Sequence, residues 1–187
     1  MSRINVTEVV PYMPRLGYAN DDGGEIAQAI KERRGGALTP LDRLLLHNPA
    51  IAQGWNTLFR AVRTRTTLPA DVRELAILRV AALNGADYEW AAHEPVGRRA
   101  GLEDDQLDRV RNGDWPERLD GRQAASLAYT DRMTSDVRVP DEDFDALKDF
   151  FDEQQILELT ATVASYNLVS RLLVALEVVP ADREPPE

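Results

Sequence analysis

Residues 68–101 have the sequence LPADVRELAILRVAALNGADYEWAAHEPVGRRAG, and this stretch decides the fold of the chain. Its first half, residues 69–83, has apolar residues at helical spacing, begins with a proline and ends at the turn-forming pair Asn84-Gly85. Its second half, residues 86–101, repeats the helical spacing and carries charged residues on the opposite face. The stretch therefore predicts two adjoining helices.

Three polar residues fall on the apolar faces of these two helices. Glu74 shares a face with Ile77 and Leu78, and Glu89 and His93 are neighbours because they are four residues apart. A carboxylate among apolar side chains is costly unless it is hydrogen-bonded or protonated. Carboxyl and imidazole groups held together in such a place can exchange protons, which general acid–base catalysis requires. We therefore predict Glu74, Glu89 and His93 as catalytic residues.

Each of these residues also has an alternative interpretation. An ion pair with Arg73 or Arg79 would make Glu74 structural, and Glu89 would be a supporting residue if it only hydrogen-bonds His93 and fixes its tautomer. One imidazole and two carboxylates also resemble an open metal triad, although the usual triad has two histidines and one carboxylate. We therefore expect no metal and no cofactor.

The composition is that of an acidic chain without cysteine. The 187 residues include 32 acidic and 22 basic ones, a formal charge of −10, and the basic residues are scattered, so neither nucleic acid nor a membrane is an expected partner. No apolar run approaches the roughly 20 residues that cross a bilayer, and the first residues lack the apolar core of a signal peptide, which favours the cytoplasm. The absence of cysteine excludes disulfides and thiol catalysis, and two histidines cannot form a three-histidine zinc site.

The pattern along the whole chain predicts an all-α protein with a single helical domain. We expect an extended N-terminal arm over residues 1–24, where turn-forming residues are frequent, the helical domain over residues 25–180, and a disordered tail over residues 181–187. No segment predicts a strand. Helices are expected over residues 25–34, 40–47, 50–64, 69–83, 86–101, 103–111, 120–134, 140–151 and 153–178.

Two of these helices carry further expectations. Pro95 lacks an N–H and crowds the preceding turn, so we expect a kink or a restart of the helix beside His93. The last helix is apolar on nearly all sides from Ile156 to Val179, which predicts burial between other helices or between subunits.

The sequence RELAILRVAALNGADYEWAAHEPVGRRAGL, residues 73–102, resembles the core of the carboxymuconolactone decarboxylase family, which includes the AhpD-like alkylhydroperoxidases. Peroxidase members have a glutamate followed by Cys-x-x-Cys-x-x-x-His. The glutamate of that motif aligns with Glu74, its histidine with His93, and its two cysteines with Ala86 and Glu89. Residues 38–58 and 158–178 add similarity to the cysteine-free branch.

The resemblance implies an AhpD-like helical bundle that forms a homo-oligomer, a trimer or a hexamer. Around the catalytic residues we place four substrate-binding residues, namely Ala86, Trp90, Asn167 and Arg171. Trp90 has the alternative of simple packing. Asn167 and Arg171, with Tyr166, are polar residues of the apolar last helix, and they line a pocket or satisfy one another.

For the decarboxylase branch, the resemblance implies loss of carbon dioxide from a carboxylated unsaturated lactone without a cofactor. His93 would protonate the carbon, Glu89 would orient His93, and Glu74 would relay the proton or polarise the substrate. No sulfur is available to attack a peroxide, so thiol peroxidase activity is not expected. We predict a lyase-like acid–base enzyme acting by decarboxylation, isomerisation or hydrolysis. The alternative is a non-catalytic ligand-binding or assembly module on the same fold.

Overall fold

A computed structural model describes residues 14–20 and 24–180, and this part of the chain contains helices and no strand. The prediction of an all-α fold is therefore confirmed. The tail at residues 181–187 and most of the expected arm lie outside the described residues. The helices are α1 (Glu25–Arg34), α2 (Pro40–Leu45), α3 (Pro49–Thr64), α4 (Ala70–Leu83), α5 (Asp87–Arg99), α6 (Asp104–Arg111), α7 (Gly121–Ser135), α8 (Asp141–Asp145) with a short 3-10 helix (Ala146–Asp149), and α9 (Glu153–Ala175).

Side-chain caps set the start of several helices. Thr39 caps α2, where its hydroxyl accepts a hydrogen bond from the Asp42 N–H and the Asp42 carboxylate accepts one from the Thr39 N–H. Asp120 and Asp152 begin α7 and α9 with the same reciprocal arrangement. Because such caps depend on residues three apart in the sequence, they explain why the predicted boundaries agree closely with the observed ones.

Two details of the predicted helices differ from the structure. Helix α5 runs from Asp87 to Arg99 and includes Pro95, so the helix does not restart there. Pro95 and Ala91 are both exposed, and water can therefore satisfy the Ala91 carbonyl that the missing N–H leaves free. Helix α9 ends at Ala175 instead of Val178, because Glu177 takes a left-handed backbone conformation with a φ of 54°.

Helix α4 is the centre of the fold. It packs against α5, α7 and α9, and it is buried on nearly every side between residues 74 and 81. One side of α4, with Ile77, joins the core cluster that includes Phe59 and Tyr166, and the other side, with Leu78, joins a second cluster that includes Trp90. A polar side chain between residues 74 and 81 of α4 is therefore buried inside the protein.

Gly97 allows α5 to approach α4 closely. A Cβ atom at this position would lie 2.9 Å from Cδ1 of Leu78 and 3.1 Å from Cδ1 of Leu102, which is tighter than ordinary contacts. One turn earlier on each helix stand His93 and Glu74. The close approach at Gly97 therefore brings the imidazole and the carboxylate into reach of each other.

The first segment, residues 14–20, is not helical and lies against the ends of other elements. The Arg15 N–H donates to the Leu176 carbonyl, and the Ala19 N–H donates to the Arg43 carbonyl. Within the described ranges, no helix is long and apolar enough to span a membrane.

A buried ion pair joins α4 to α7. The Arg79 side chain is 3% exposed, and its Nε and Nη2 atoms donate to the two oxygens of Asp131 at 2.6 and 2.9 Å. The alternative pairing of Arg79 with Glu74 is thereby excluded, because Arg79 points to the opposite side of α4.

We predict that Asp131→Ala lowers the free energy of unfolding by about 3 kcal/mol, because it leaves the buried guanidinium of Arg79 without its partner. Asp136→Ala is the matched control, since it removes an exposed carboxylate from its pair with Arg132 and should change stability by no more than about 0.5 kcal/mol. Urea denaturation of both variants measures the difference. Equal losses in the two variants would contradict this role of the pair.

Candidate active site

The three predicted catalytic residues line one cavity of about 300 Å³. The cavity lies where α4 and α5 meet the segment that leads into α2, and α1 and α3 complete its wall. Its lining consists of Arg34, Thr39, Leu41, Arg63, Arg73, Glu74, Tyr88, Glu89, Ala92, His93 and Val96. The lining therefore combines a few apolar side chains with three arginines, two glutamates and one histidine.

The imidazole of His93 is held by Glu74. Nδ1 of His93 lies 2.8 Å from Oε2 of Glu74, and both side chains are buried. Oε1 of Glu74 accepts a hydrogen bond from Nε of Arg73 at 3.3 Å. Since a carboxylate held by an arginine acts as an acceptor, Nδ1 carries the hydrogen of the bond to His93. The suggested pairing of Glu74 with Arg73 thus exists beside its contact with His93.

The opposite nitrogen of His93 faces Tyr166. The Tyr166 hydroxyl lies 3.0 Å from Nε2 of His93, and the same hydroxyl oxygen accepts a hydrogen bond from Nε of Arg63 at 2.8 Å. Burial raises the pKa of the Tyr166 hydroxyl well above its ordinary value, so the hydroxyl keeps its proton. That proton is available to Nε2. A continuous chain of hydrogen bonds consequently runs from Arg63 through Tyr166 and His93 to Glu74.

Glu89 lies beside this chain without belonging to it. Its side chain is 1% exposed, and its Oε2 atom is 3.5 Å from Nε2 of His93. The same Oε2 atom has no hydrogen-bond partner. The hydrogen bond to His93 that the sequence predicts for Glu89 is made by Glu74, and Glu89 retains an oxygen without a hydrogen-bond partner among the described residues. A buried acceptor without a donor is costly.

The arginines of the cavity differ in their partners. Arg34 pairs with Asp42, and Arg73 contacts Glu74, whereas Arg63 donates to Tyr166 and has no carboxylate within ion-pair distance in the described part of the chain. Burial by itself would lower the pKa of Arg63, but Tyr166 and the carboxylates of Glu89 and Glu74 raise it above the ordinary value. Arg63 therefore remains a cation beside the cavity.

The alternative of a metal triad is not supported by the geometry. Glu74 and Glu89 lie at opposite nitrogens of His93, so the three side chains do not converge on one point. Within residues 14–20 and 24–180, no group of three or more His, Cys, Asp or Glu side chains is arranged to hold a metal ion.

The four predicted substrate-binding residues do not line this cavity. Ala86 and Trp90 are packed in the second core cluster, with the guanidinium of Arg111 over the Trp90 ring. Asn167 is buried but donates to Thr134 Oγ1 and the Val163 carbonyl and accepts from Asn84. Arg171 is exposed, so the expectation that it is a buried polar residue of α9 is wrong. Helix α9 has an exposed face, and Arg171 lies on it.

Two residues of the site are not predicted by the sequence pattern. The pattern identifies Tyr166 only as a polar residue of the last helix, and it gives no role to Arg63. A usable signal exists for Arg63, because it follows Phe59 by four residues and lies beside the buried Val62, which places an arginine next to the buried face of α3. No comparable local signal connects Tyr166 to His93, which is 73 residues away in the sequence.

Two other hollows are larger but chemically less suitable. One, of about 500 Å³, is lined by Asp131, Asp136 and Asp143, whose carboxylates are bonded to arginines. Another, of about 620 Å³, is largely apolar and lies between α8 and α9. Neither contains a histidine or an unsatisfied buried carboxylate.

Comparison with known proteins supports the fold and the family. Residues 49–135 match the model of the carboxymuconolactone decarboxylase family, which confirms the resemblance inferred from the sequence. This match contains Glu74, Glu89 and His93. No curated protein matches the chain significantly.

Solved structures show the same fold at low sequence identity. The alkylhydroperoxidase AhpD core of an uncharacterized peroxidase-related protein from Ralstonia eutropha JMP134 has a TM-score of 0.74 and 20% identity, covering 93% of this chain and 98% of that one. An uncharacterized peroxidase-related protein from Silicibacter sp. TM1040 has a TM-score of 0.73 and 16% identity, covering 92% and 93%. The debrominase Bmp8, in complex with 2,3,4-tribromopyrrole, has a TM-score of 0.69 and 17% identity, covering 84% and 85%. The AhpD-like fold is thereby confirmed.

We predict that the hydrogen in the bond between His93 and Glu74 lies on Nδ1 of His93. The chain has two histidines, so a His47→Gln variant leaves His93 as the single imidazole in a nitrogen NMR spectrum. The expected spectrum at neutral pH shows a protonated Nδ1 and an unprotonated Nε2, because Glu74 accepts from one nitrogen and Tyr166 donates to the other. In Tyr166→Phe, the Nε2 signal should shift. A hydrogen on Nε2 of the starting protein would contradict the proposed direction of the bonds.

Proposed function

We propose that this chain, which has an AhpD-like fold and matches the model of the carboxymuconolactone decarboxylase family over residues 49–135, is an acid–base enzyme that needs no thiol. Its substrate is a small carboxylated or lactone-type compound. The observation that carries the proposal is the buried Oε2 of Glu89, which lacks a hydrogen-bond partner among the described residues and lies 3.5 Å from Nε2 of His93 in a cavity that the cation Arg63 also lines. Such groups are the components of a proton-transfer site.

Glu89 is the group that exchanges a proton with the substrate in this proposal. Nε2 of His93 exchanges the proton with Oε2 of Glu89, the Tyr166 hydroxyl supports Nε2 through its hydrogen bond, and Glu74 fixes the ring so that Nε2 stays directed at both groups. Positioning of this kind contributes strongly to catalysis, because the reacting groups do not have to reorganise during the reaction. His93 and Glu89 thus act as a pair, with Glu74 as their positioning residue.

The specific reaction that we propose is decarboxylation. The bond between the substrate carbon and its carboxylate breaks, carbon dioxide leaves, and the electron pair is delocalised into a conjugated carbonyl. Arg63 balances the negative charge on that carbonyl oxygen. The carbon then takes up one proton from Glu89, which completes the replacement of carbon dioxide by hydrogen. Isomerisation and hydrolysis use the same proton-transfer groups.

Thiol peroxidase chemistry has no support in this chain. The two thiol positions of the peroxidase motif are Ala86 and Glu89, and the chain contains no cysteine elsewhere. Without a thiolate there is no nucleophile to attack a peroxide and no dithiol to form a disulfide. Activity should therefore be insensitive to thiol-alkylating reagents.

The proposal is tested by incubating the protein in D₂O with carboxylated lactones and β-keto acids. Nuclear magnetic resonance then reports carbon dioxide release and deuterium at the carbon that lost the carboxylate. We expect His93→Ala and Glu89→Gln to lower the rate at least about 100-fold, as is typical for loss of a general acid or base. His47→Ala is the matched control, because His47 is exposed and should leave the rate within about twofold.

Full activity of His93→Ala and Glu89→Gln on a substrate that the unaltered protein turns over would contradict the mechanism. Recovery of an unchanged bound ligand, with no turnover of any tested compound, would instead favour the non-catalytic binding module.

We also propose that the chain forms a homo-oligomer, a trimer or hexamer as the resemblance implies. Leu157, Leu168 and Val174 of α9 are 68%, 48% and 47% exposed, and exposed apolar side chains of this size on one helix favour contact with another protein. Sedimentation equilibrium should give a mass that is three or six times the 20.9 kDa of one chain. A monomer at micromolar concentration would contradict this prediction. A cytoplasmic location stays a prediction.

A further inference from the structure

Two polar groups of opposite character in the cavity lining can still bind a ligand, namely the guanidinium of Arg63, which donates through Nε to Tyr166, and the buried Oε2 of Glu89. Among the described residues, Arg63 has no carboxylate within ion-pair distance and Oε2 of Glu89 has no hydrogen-bond donor. The other charges of the cavity are compensated, because Arg34 pairs with Asp42 and Arg73 with Glu74. The recognition of a ligand therefore depends on one cation and one acceptor.

The remaining wall limits the body of the ligand. Leu41, Ala92 and Val96 contribute apolar surface to the lining, and burial raises the pKa of the Tyr88 hydroxyl, which therefore keeps its proton. A volume of about 300 Å³ is at the small end of ligand pockets, which suits one ring or a short chain. The apolar part of a ligand of this size would be buried between the guanidinium of Arg63 and Oε2 of Glu89.

We propose that the ligand of this cavity is a small carboxylate that also bears a hydroxyl or amino group. The carboxylate binds the guanidinium of Arg63, and the O–H or N–H donates to Oε2 of Glu89. This inference rests on the proposed function, since it names the class of substrate that the same site accepts. A carboxylate alone would satisfy Arg63 and leave the buried oxygen of Glu89 without a donor.

The proposed proton transfer also requires a hydrogen-bond donor on the ligand. Whether Glu89 gives or takes a proton, one of the two bound states places its ionised carboxylate beside the ligand. In that state the buried oxygen needs a donor, and the solvent cannot supply one because Glu89 is 1% exposed. A hydroxyl or amino group on the ligand meets this need in the same complex.

Matched probes test the inference through binding alone. Isothermal titration calorimetry of the full chain compares benzoate with 2-, 3- and 4-hydroxybenzoate and with 3-aminobenzoate. At least one probe with a donor should bind about tenfold or more tightly than benzoate, because a hydrogen bond to a buried charged group is stronger than the hydrogen bonds it replaces in water. Phenol, which has the donor and no carboxylate, should not bind measurably.

Variants separate the two contacts. Glu89→Met should reduce the advantage of the hydroxy or amino probes over benzoate to less than about twofold, and Arg63→Met should abolish binding of every carboxylate. Glu94→Met on α5 and Arg60→Met on α3 are the matched controls, because they make the same substitutions outside the cavity lining. Glu89→Gln replaces Glu89→Met if the latter does not fold, and it should weaken the donor preference in the same direction.

The inference is overturned if no donor-bearing probe binds better than benzoate, if the preference survives in Glu89→Met, or if no probe binds at millimolar concentration. Binding with the expected preference but without turnover of any carboxylate would overturn the proposed function and leave the ligand class standing. Turnover of a carboxylate that lacks any donor would overturn the ligand class and leave the proposed function standing.

Discussion

The hydrogen bond between His93 and Glu74 is the constraint around which the rest of the site is arranged. It joins the two helices at the centre of the fold, and it is buried, so the remaining polar atoms of the two side chains need partners inside the protein. Arg73 satisfies the second oxygen of Glu74, and Tyr166 satisfies the second nitrogen of His93. One buried imidazole thus accounts for polar residues on three separate helices.

The parts of the fold that were predictable from the sequence are those that depend on local interactions. Helix boundaries follow from caps, prolines and glycines that act within a few residues, and they were predictable from Thr39, Asp120 and Asp152. The contact of Glu74 with His93 was predictable as well, because both lie on apolar faces of adjoining helices. The role of Pro95 was not, because it depends on whether the turn before it faces water, and this is decided by tertiary packing.

The partners of the central pair were less accessible to sequence reasoning. Tyr166 reaches His93 from α9, and Arg63 reaches Tyr166 from α3, so both contacts depend on how distant helices pack. The same reasoning placed Arg171 in the site, although the periodicity of an almost uniformly apolar helix does not reveal which of its faces is buried. Helix α9 conceals its orientation because its exposed face also carries leucine and valine.

The two positions that hold thiols in the peroxidase motif have acquired different environments in this chain. Ala86 is packed among Leu75, Leu78 and Trp90, where no ligand can reach it, whereas Glu89 lines the cavity next to Nε2 of His93. Position 86 is therefore inaccessible to a ligand, whereas the side chain at position 89 is in contact with the cavity. A carboxylate at the open position cannot share electrons with a peroxide as a thiolate does, but it can bind and release a proton. Because the solved structures with this fold include proteins described as peroxidase-related and a debrominase, the fold itself does not dictate one chemistry. In the function proposed for this chain, the carboxylate at position 89 directs the site towards proton transfer, and the buried pair of His93 and Glu74 holds the imidazole beside it.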